Sequence, residues 1–369
     1  MSVATEAGEP VAATVEEHRV TVSLVCSGVP RGAQIRRQVD VVRLHRSAGR
    51  VTRSERVPAT ALPLLVAGSQ DVAGQVADSL FGDPTIRFAA GHGTLRWQSA
   101  AITMTRRPRA IVRLETSAGP ALVGGYGTVA DVLRDRVDDW ARLLAEPLLP
   151  RDRAPGAWPR LPIVVRPPVA AALLVGVRWV LGSPAASRLD QRRVLPRLTL
   201  TDRPLAHDVG EPDDAGQPAM PWDLVRGGVV ATAPRDGPTG LPAGRVVWHH
   251  DERRPVSARV FDLELAGPPG WPDADPQEEA LELVECVERV RTYQPDGWMR
   301  LVCVARVHPG GRPFLVGVTG RPLSLLRAVV GATGEATSLH TEHSVRTPSL
   351  VLPSAQSLER STDAQLTSL

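Results

Sequence analysis

The sequence predicts an α+β protein, and three observations carry that expectation. Strand-like segments recur as neighbours joined by short turns, as in MRLVCVARV and PFLVGVTG around HPGGR. Segments with helical spacing are interspersed among them rather than alternating regularly with single strands, which disfavours a doubly wound sheet. Hydrophobic residues make up 43% of the 369 residues, enough for a large buried core.

From the start of the chain, residues 1–17 are small and acidic and are expected to be disordered. Arg19–Cys26 and Val39–His45 alternate apolar and polar residues as half-buried strands do. Val72, Val76 and Leu80 share one helical face within residues 69–81. Ala110–Thr116 reads as a strand. Thr128 caps an amphipathic helix whose stripe is Val129, Val132, Leu133, Val137, Trp140 and Leu144, with Pro147 as its stop. The Pro/Arg-rich stretch beyond it divides an N-terminal α+β domain, 18–150, from a C-terminal domain, 160–353.

The organising stretch of the second domain is Pro167–Pro184. Two prolines suit a helix start, and Gly182 with Pro184 suits its stop. Between Val169 and Leu181 only Arg178 is charged, so this helix belongs in a core. At about 1.5 Å per residue it spans about 20 Å, short of the roughly 30 Å hydrocarbon layer of a membrane.

Pro196–Asp202 alternates as a strand, and the Asp/Gly/Pro-dense run to Trp222 reads as loop. Gly244–His250 and Ala258–Ala266 are the next expected strands. Asp275–Val290 carries a cap, Pro276, acids in its first turn and the stripe Ala280, Leu283, Val284, Val287 and Val290, which predicts a helix. In HPGGR, Gly310 and Gly311 are expected to supply the positive φ that a tight turn demands. Leu323–Gly331 is a last helix, Ser349–Pro353 a last strand, and residues 354–369 a frayed tail.

The formal net charge is +3, but this does not imply a nucleic-acid partner. All 43 basic residues are arginine, interspersed with 40 acidic residues and never forming a basic run. Cys26, Cys286 and Cys303 form no CxxC and are expected to be buried reduced thiols. The N-terminus lacks a signal-peptide pattern, and no stretch reaches membrane-spanning length, so the expectation is a cytoplasmic chain without a membrane role.

Motifs of independent chemistry are sparse. A GxSxG nucleophile is absent, and a phosphate loop would need a lysine that the chain does not possess. His249 and His250 would point to opposite faces of a strand, and His340 with His343 lies in a segment that reads as irregular and has no third ligand nearby, so both groups read as surface histidines. Trp158, Trp222, Trp271 and Trp298 lie in loop-like sequence and are interface candidates. Asp213, Asp214 and Gly216 read as a turn whose carboxylates accept backbone N–H groups, with an acid and base pair as the sharper alternative.

From Leu161 to Pro353 the order of segments resembles the TldD/PmbA family, once called modulators of DNA gyrase. The carriers are AAALLVGVRWVLGSPAAS, VLPRLTLTDRP with Asp202, EPDDAGQPAMPWDLVRGGVV with Asp213, Asp214 and Gly216, and the closing TPSLVLPSA. The resemblance implies a two-domain TldD/PmbA-like fold with mixed, mostly antiparallel sheets, and an acidic loop near a substrate groove. In the family's metallopeptidase subunit the apolar helix carries HExxxH, which binds zinc and activates water. Here Val175, Gly176 and Val180 stand at those positions, and neither valine nor glycine offers zinc a lone pair.

The chain therefore resembles the non-catalytic TldE/PmbA-like half of a heterodimeric metallopeptidase, with no metal or cofactor of its own. Zinc is expected in a TldD-like HExxxH partner, and an extended peptide is the implied substrate, in proteolysis or in maturing a natural-product precursor. Two alternatives stand beside it: a self-associating scaffold without peptidase activity, and a stand-alone enzyme using another site.

Overall fold

In this computed structural model side chains are described for residues 148–204, 213, 217–237, 240–246, 262–267, 279–287, 297–339 and 344–369. Backbone alone is described for residues 247, 257–258, 288–291 and 340 and for the strands within 13–126. The expected helices at 69–81 and from Thr128 lie outside the described residues, as do Trp140, Asp214, Gly216, His249, His250, Trp271 and His343.

Seven strands form an antiparallel N-terminal sheet: β1 (Ala13–Ser27), β2 (Gly32–Ser47), β3 (Arg50–Arg56), β4 (Thr85–Trp97), β5 (Ile102–Thr105), β6 (Arg109–Thr116) and β7 (Gly119–Tyr126). Their order is β3-β2-β1-β4-β6-β7, with β5 on β4. β1 starts at Ala13, pairing with Arg46 and Trp97, so the disorder expected through residue 17 is corrected. Long partners on both sides extend the ladder past the point where apolar alternation fades.

The C-terminal sheet positions everything that follows. It contains β8 (Ile163–Val165), β9 (Thr199–Arg203), β10 (Trp222–Arg226), β11 (Val229–Val230), β14 (Asp262–Ala266) and β15 (Ala280–Arg291). It continues through β16 (Met299–His308), β17 (Phe314–Gly320), β18 (Gly331–His340), β19 (Ser344–Leu352) and β20 (Gln365–Ser368). Their order is β11-β10-β9-β14-β19-β8-β15-β16-β17-β20, with β18 on β19; β12 (Val246–Val247) and β13 (Ser257–Ala258) pair separately. Only β14 with β19 and β8 with β15 run parallel, so the sheet is mixed and mostly antiparallel. The fold is α+β.

Helix α1 (Pro167–Leu181) lies on one face of this sheet, against β15, β16, β18 and β19 and beside α2 (Pro322–Arg327). Leu174, Val177 and Leu181 pack there with Ile163, Leu281, Leu301, Phe314 and Leu350. Its first turn needs no outside partner: Pro167 and Pro168 have no N–H, and the amides of Val169 and Ala170 both donate to the Arg166 carbonyl. The helix stops at Gly182, as expected, although Gly182 is itself in a right-handed conformation. Space explains the glycine: a Cβ there would collide with the Arg178 guanidinium.

Three expectations are overturned here. Residues 280–290, expected within a helix, belong to strand β15 between β8 and β16. The reason is that the strand carries two breaks in register, at Leu283/Glu285 and Cys286/Glu288, each adding a residue to one side of the ladder. Two such additions turn a period of two into an apparent three-to-four spacing, while coverage on both edges overrides local helix preference. The segment around His340, expected to be irregular, is the end of β18, with His340 opposite Ser344.

The tail expected to fray is part of the core. Residues 355–361 form α3 (Ala355–Ser361), capped by the Ser354 hydroxyl accepting from the Ser357 amide. β20 then pairs with β17, burying Leu358, Ala364 and Leu366. Burial of Leu358 and Leu366 is worth roughly 3–6 kcal/mol at about 1.5–3 kcal/mol for each side chain. Deleting residues 354–369 is therefore expected to lower the thermal midpoint sharply or to abolish soluble expression; calorimetry showing an unchanged midpoint would restore the frayed tail.

Candidate functional site

Of the three α1 positions singled out by sequence, Val175 is buried in the main core, while Gly176 and Val180 are half-buried against neighbouring residues. At Gly176 a Cβ would lie 2.9 Å from the Met299 sulfur and 3.1 Å from Pro322 Cγ, so β16 and α2 occupy the space a side chain would need. Val180 fills the space over Gly297, whose φ is +65° and whose own Cβ would meet the valine methyl at 2.7 Å. A zinc ion fits none of these three residues: they supply hydrocarbon and contacts, with no donor atom. Among the described residues, no three His, Cys, Asp or Glu side chains gather as a metal would require.

The one charge on α1 finds its partner on β9. Arg178 and Asp202 are both fully buried, and Arg178 Nε donates to Asp202 Oδ2 at 2.7 Å. Arg245, just before β12, donates from Nε to the same oxygen at 3.2 Å, from Nη2 to the Asp202 carbonyl at 2.7 Å and from Nη1 to the Met220 carbonyl at 2.8 Å. The Trp222 ring lies against both guanidiniums, 4.8 Å from Arg178 Cζ and 5.5 Å from Arg245 Cζ. Burial lowers the pKa of Arg178, Asp202 raises it, and the like charge of Arg245 lowers it further, leaving it below the ordinary guanidinium value.

Asp213 behaves as the turn reading expects. Its Oδ1 accepts from the Gln217 amide and its Oδ2 from the Val246 amide, each at 2.9 Å, and its own amide donates to the Gln217 carbonyl. Asp213 thereby holds the loop to the residue after Arg245. Asp202, expected at the edge of that loop, sits inside the ion cluster instead. Trp222 is corrected likewise: it opens β10 and is buried under the two arginines. Trp158 is also buried, tilted against Phe314 at 6.4 Å between centroids, so among the described candidates Trp298, half-buried beneath Arg321, is the one that reaches the surface.

A second ionic centre lies on the opposite face of β15. Glu282 has a side chain only 2% exposed, accepts from Arg166 through Oε1 and from Arg306 Nε at 2.7 Å through Oε2, and has His308 Nδ1 3.7 Å away. Burial pushes its carboxyl pKa up, but hydrogen bonds from Arg306 and Arg166 and their charges outweigh burial and hold it below the ordinary value. Sequence reading missed this centre because it assigned Glu282 to a helix surface. Arg178 was more legible, since a single charge in an apolar helix demands a buried counter-ion.

Comparison with family models and with curated protein sequences returns no match. Solved structures do match over nearly the whole chain. TldE from Thermococcus kodakarensis superposes with a TM-score of 0.62 at 10% identity, covering 93% of this chain and 95% of that one. A protein from Bacteroides thetaiotaomicron, described as a modulator of DNA gyrase, superposes with a TM-score of 0.55 at 13% identity, covering 98% and 94%. The chain has the TldD/PmbA fold.

Within that fold α1 is the helix packed on the C-terminal sheet, and its residues Val175, Gly176 and Val180 carry no side-chain donor atom. None of the described helices is long and apolar enough to cross a membrane.

Two outcomes follow from the ionic centres. Asp202→Asn keeps the shape but leaves two buried guanidiniums facing an uncharged amide, and should destabilise the protein by roughly 3–5 kcal/mol in urea unfolding. In an Arg178→Leu background the same change should cost markedly less, a coupling that a double-mutant cycle measures. Glu282 has a depressed folded pKa, so its contribution is complete above the ordinary carboxyl pKa of about 4.3 and is lost as pH falls through the folded value. Unfolding of Glu282→Gln at neutral pH and near pH 3 should show a deficit that shrinks in acid; an equal deficit at both would refute the assignment.

Proposed function

We propose that this chain is the non-catalytic, TldE/PmbA-like subunit of a cytoplasmic heterodimeric metallopeptidase. Its partner is a TldD-like chain carrying HExxxH and the zinc ion. The observation that carries the proposal is α1: at the positions the resemblance assigns to the zinc motif stand Val175, buried in the core, Gly176, packed against Met299 and Pro322, and Val180, packed against Gly297. The fold shared with TldE supports the same reading. A helix so filled cannot polarise a peptide carbonyl or hold an attacking water, so this chain's share of the work is shape.

In this reading the partner cleaves, and this chain closes the chamber around an extended peptide held by main-chain pairing, which tolerates many sequences. Peptides matured into natural products are one substrate class of that kind. The buried ionic cluster then serves rigidity, locking α1 to β9 and β12 so that the wall of the chamber does not yield.

Co-expression with an HExxxH-bearing homologue from the same genome tests this directly. A stable 1:1 complex is expected, with zinc in the partner and peptide cleavage by the complex at least tenfold above either chain alone. Equal cleavage by the homologue alone, or zinc and turnover in this isolated chain, would overturn the proposal.

A further inference from the structure

Sequence reading treats the cysteines as unrelated, because Cys286 and Cys303 stand in separate segments. Folding brings two of them face to face. β15 and β16 are antiparallel, and Cys286 lies directly opposite Cys303 in their register. Residues so placed have Cα atoms about 4.5–5.5 Å apart. Disulfides span about 4.4–6.8 Å, so the backbone is already within bonding range.

Side-chain direction agrees. Cys303 belongs to the core beneath α1, together with Leu301 and Ala305, and Cys286 packs against that same core. The hydrogen bond shared with Cys286, with burial second and the nearby charges of Cys286 and Glu285 after it, raises the Cys303 thiol pKa well above the ordinary range. Register breaks on both sides of Cys286 interrupt the regular ladder, where a strand can adjust its twist most readily. The two thiols differ in access: Cys303 is fully buried, while Cys286 is partly buried and keeps some exposure to solvent.

We propose that Cys286 and Cys303 are an oxidisable dithiol that closes to a cross-strand disulfide when a small hydroperoxide reaches Cys286. With hydrogen peroxide, the Cys286 sulfur as thiolate attacks one peroxide oxygen; the S–O bond forms, the O–O bond breaks, and hydroxide departs to be protonated as water. The Cys303 sulfur then attacks the Cys286 sulfenic acid. The S–S bond forms, the S–O bond breaks, and the departing hydroxide takes the Cys303 proton as a second water. Two thiols lose two electrons and one peroxide gains them. Exposure assigns the attacking role to Cys286, and the buried, protonated Cys303 resolves.

This inference is independent of the peptidase reading, since it uses only the β15–β16 register and the burial of two side chains. Its consequence is local: the bond would tie β15, which carries Glu282, to β16, which carries Arg306.

The test uses the full chain, reduced and then exposed to hydrogen peroxide under native conditions in a Cys26→Ser background. Trypsin cuts after Arg289, Arg291 and Arg300, so the two cysteines fall on separate peptides unless they are bonded. Expected is a linked peptide pair with the mass of two hydrogens lost, formed within one chain and reversed by dithiothreitol. With Cys303→Ala, dimedone should trap a sulfenic acid at Cys286. A dimedone adduct at Cys286 with Cys303 present and no linked pair would overturn the proposal. So would linkage between chains, or linkage that forms only after denaturation.

Discussion

A guanidinium cannot be carried into a protein core without a counter-ion, and the way this chain meets that requirement ties its organising helix to the rest. Arg178 comes from α1, Asp202 from β9, Arg245 from the segment before β12, and the Trp222 ring from β10. Four stretches distant in sequence thus meet around one carboxylate. Gly182 belongs to the same arrangement, because the guanidinium occupies the space of a missing Cβ. The ion pair does not make the fold stable in the way the surrounding leucines and valines do; it makes one docking of α1 far better than its neighbours, since any slide separates buried charges.

The helix so fixed is chemically plain. Gly176 admits Met299 and Pro322, and Val180 covers Gly297, so α1 is pressed against β16 and α2 more closely than a helix bearing long polar side chains could be. At Gly176 the space of a Cβ is taken by the Met299 thioether and the Pro322 ring, so the helix backbone there lies against the side chains of its neighbours. This packing in place of reactivity accounts for the proposed division of labour, in which one subunit supplies the fold and its partner the metal.

Much of the architecture was legible in the residues. The α1 boundaries follow from prolines and a glycine, the β16–β17 hairpin from its Gly310–Gly311 turn, and β9 from clean alternation. In that turn the expectation of positive φ at both glycines holds for Gly310, at +75°, and is corrected for Gly311, where a glycine is needed because a Cβ would strike the Val307 carbonyl. Other parts were not legible, for particular reasons. β15 looked helical because two register breaks disguised its period. The last sixteen residues looked polar because just four of them, Ala355, Leu358, Ala364 and Leu366, are buried, too few for a periodic signal yet enough to close the edge beside β17. Trp222 looked like a loop residue because its neighbours are proline and aspartate, and its burial depends on arginines supplied from elsewhere.

The sequence alone determined the α+β class, an apolar central helix carrying a single charge, and the absence of zinc donors at Val175, Gly176 and Val180. These follow from residue type and short-range spacing, which need no knowledge of neighbours. Only the tertiary structure decided which carboxylate answers Arg178, that Glu282 is buried between Arg166 and Arg306, and that Cys286 faces Cys303. Each depends on strand register and order in the sheet, and those are set by the whole core packing at once, which no local window of residues contains.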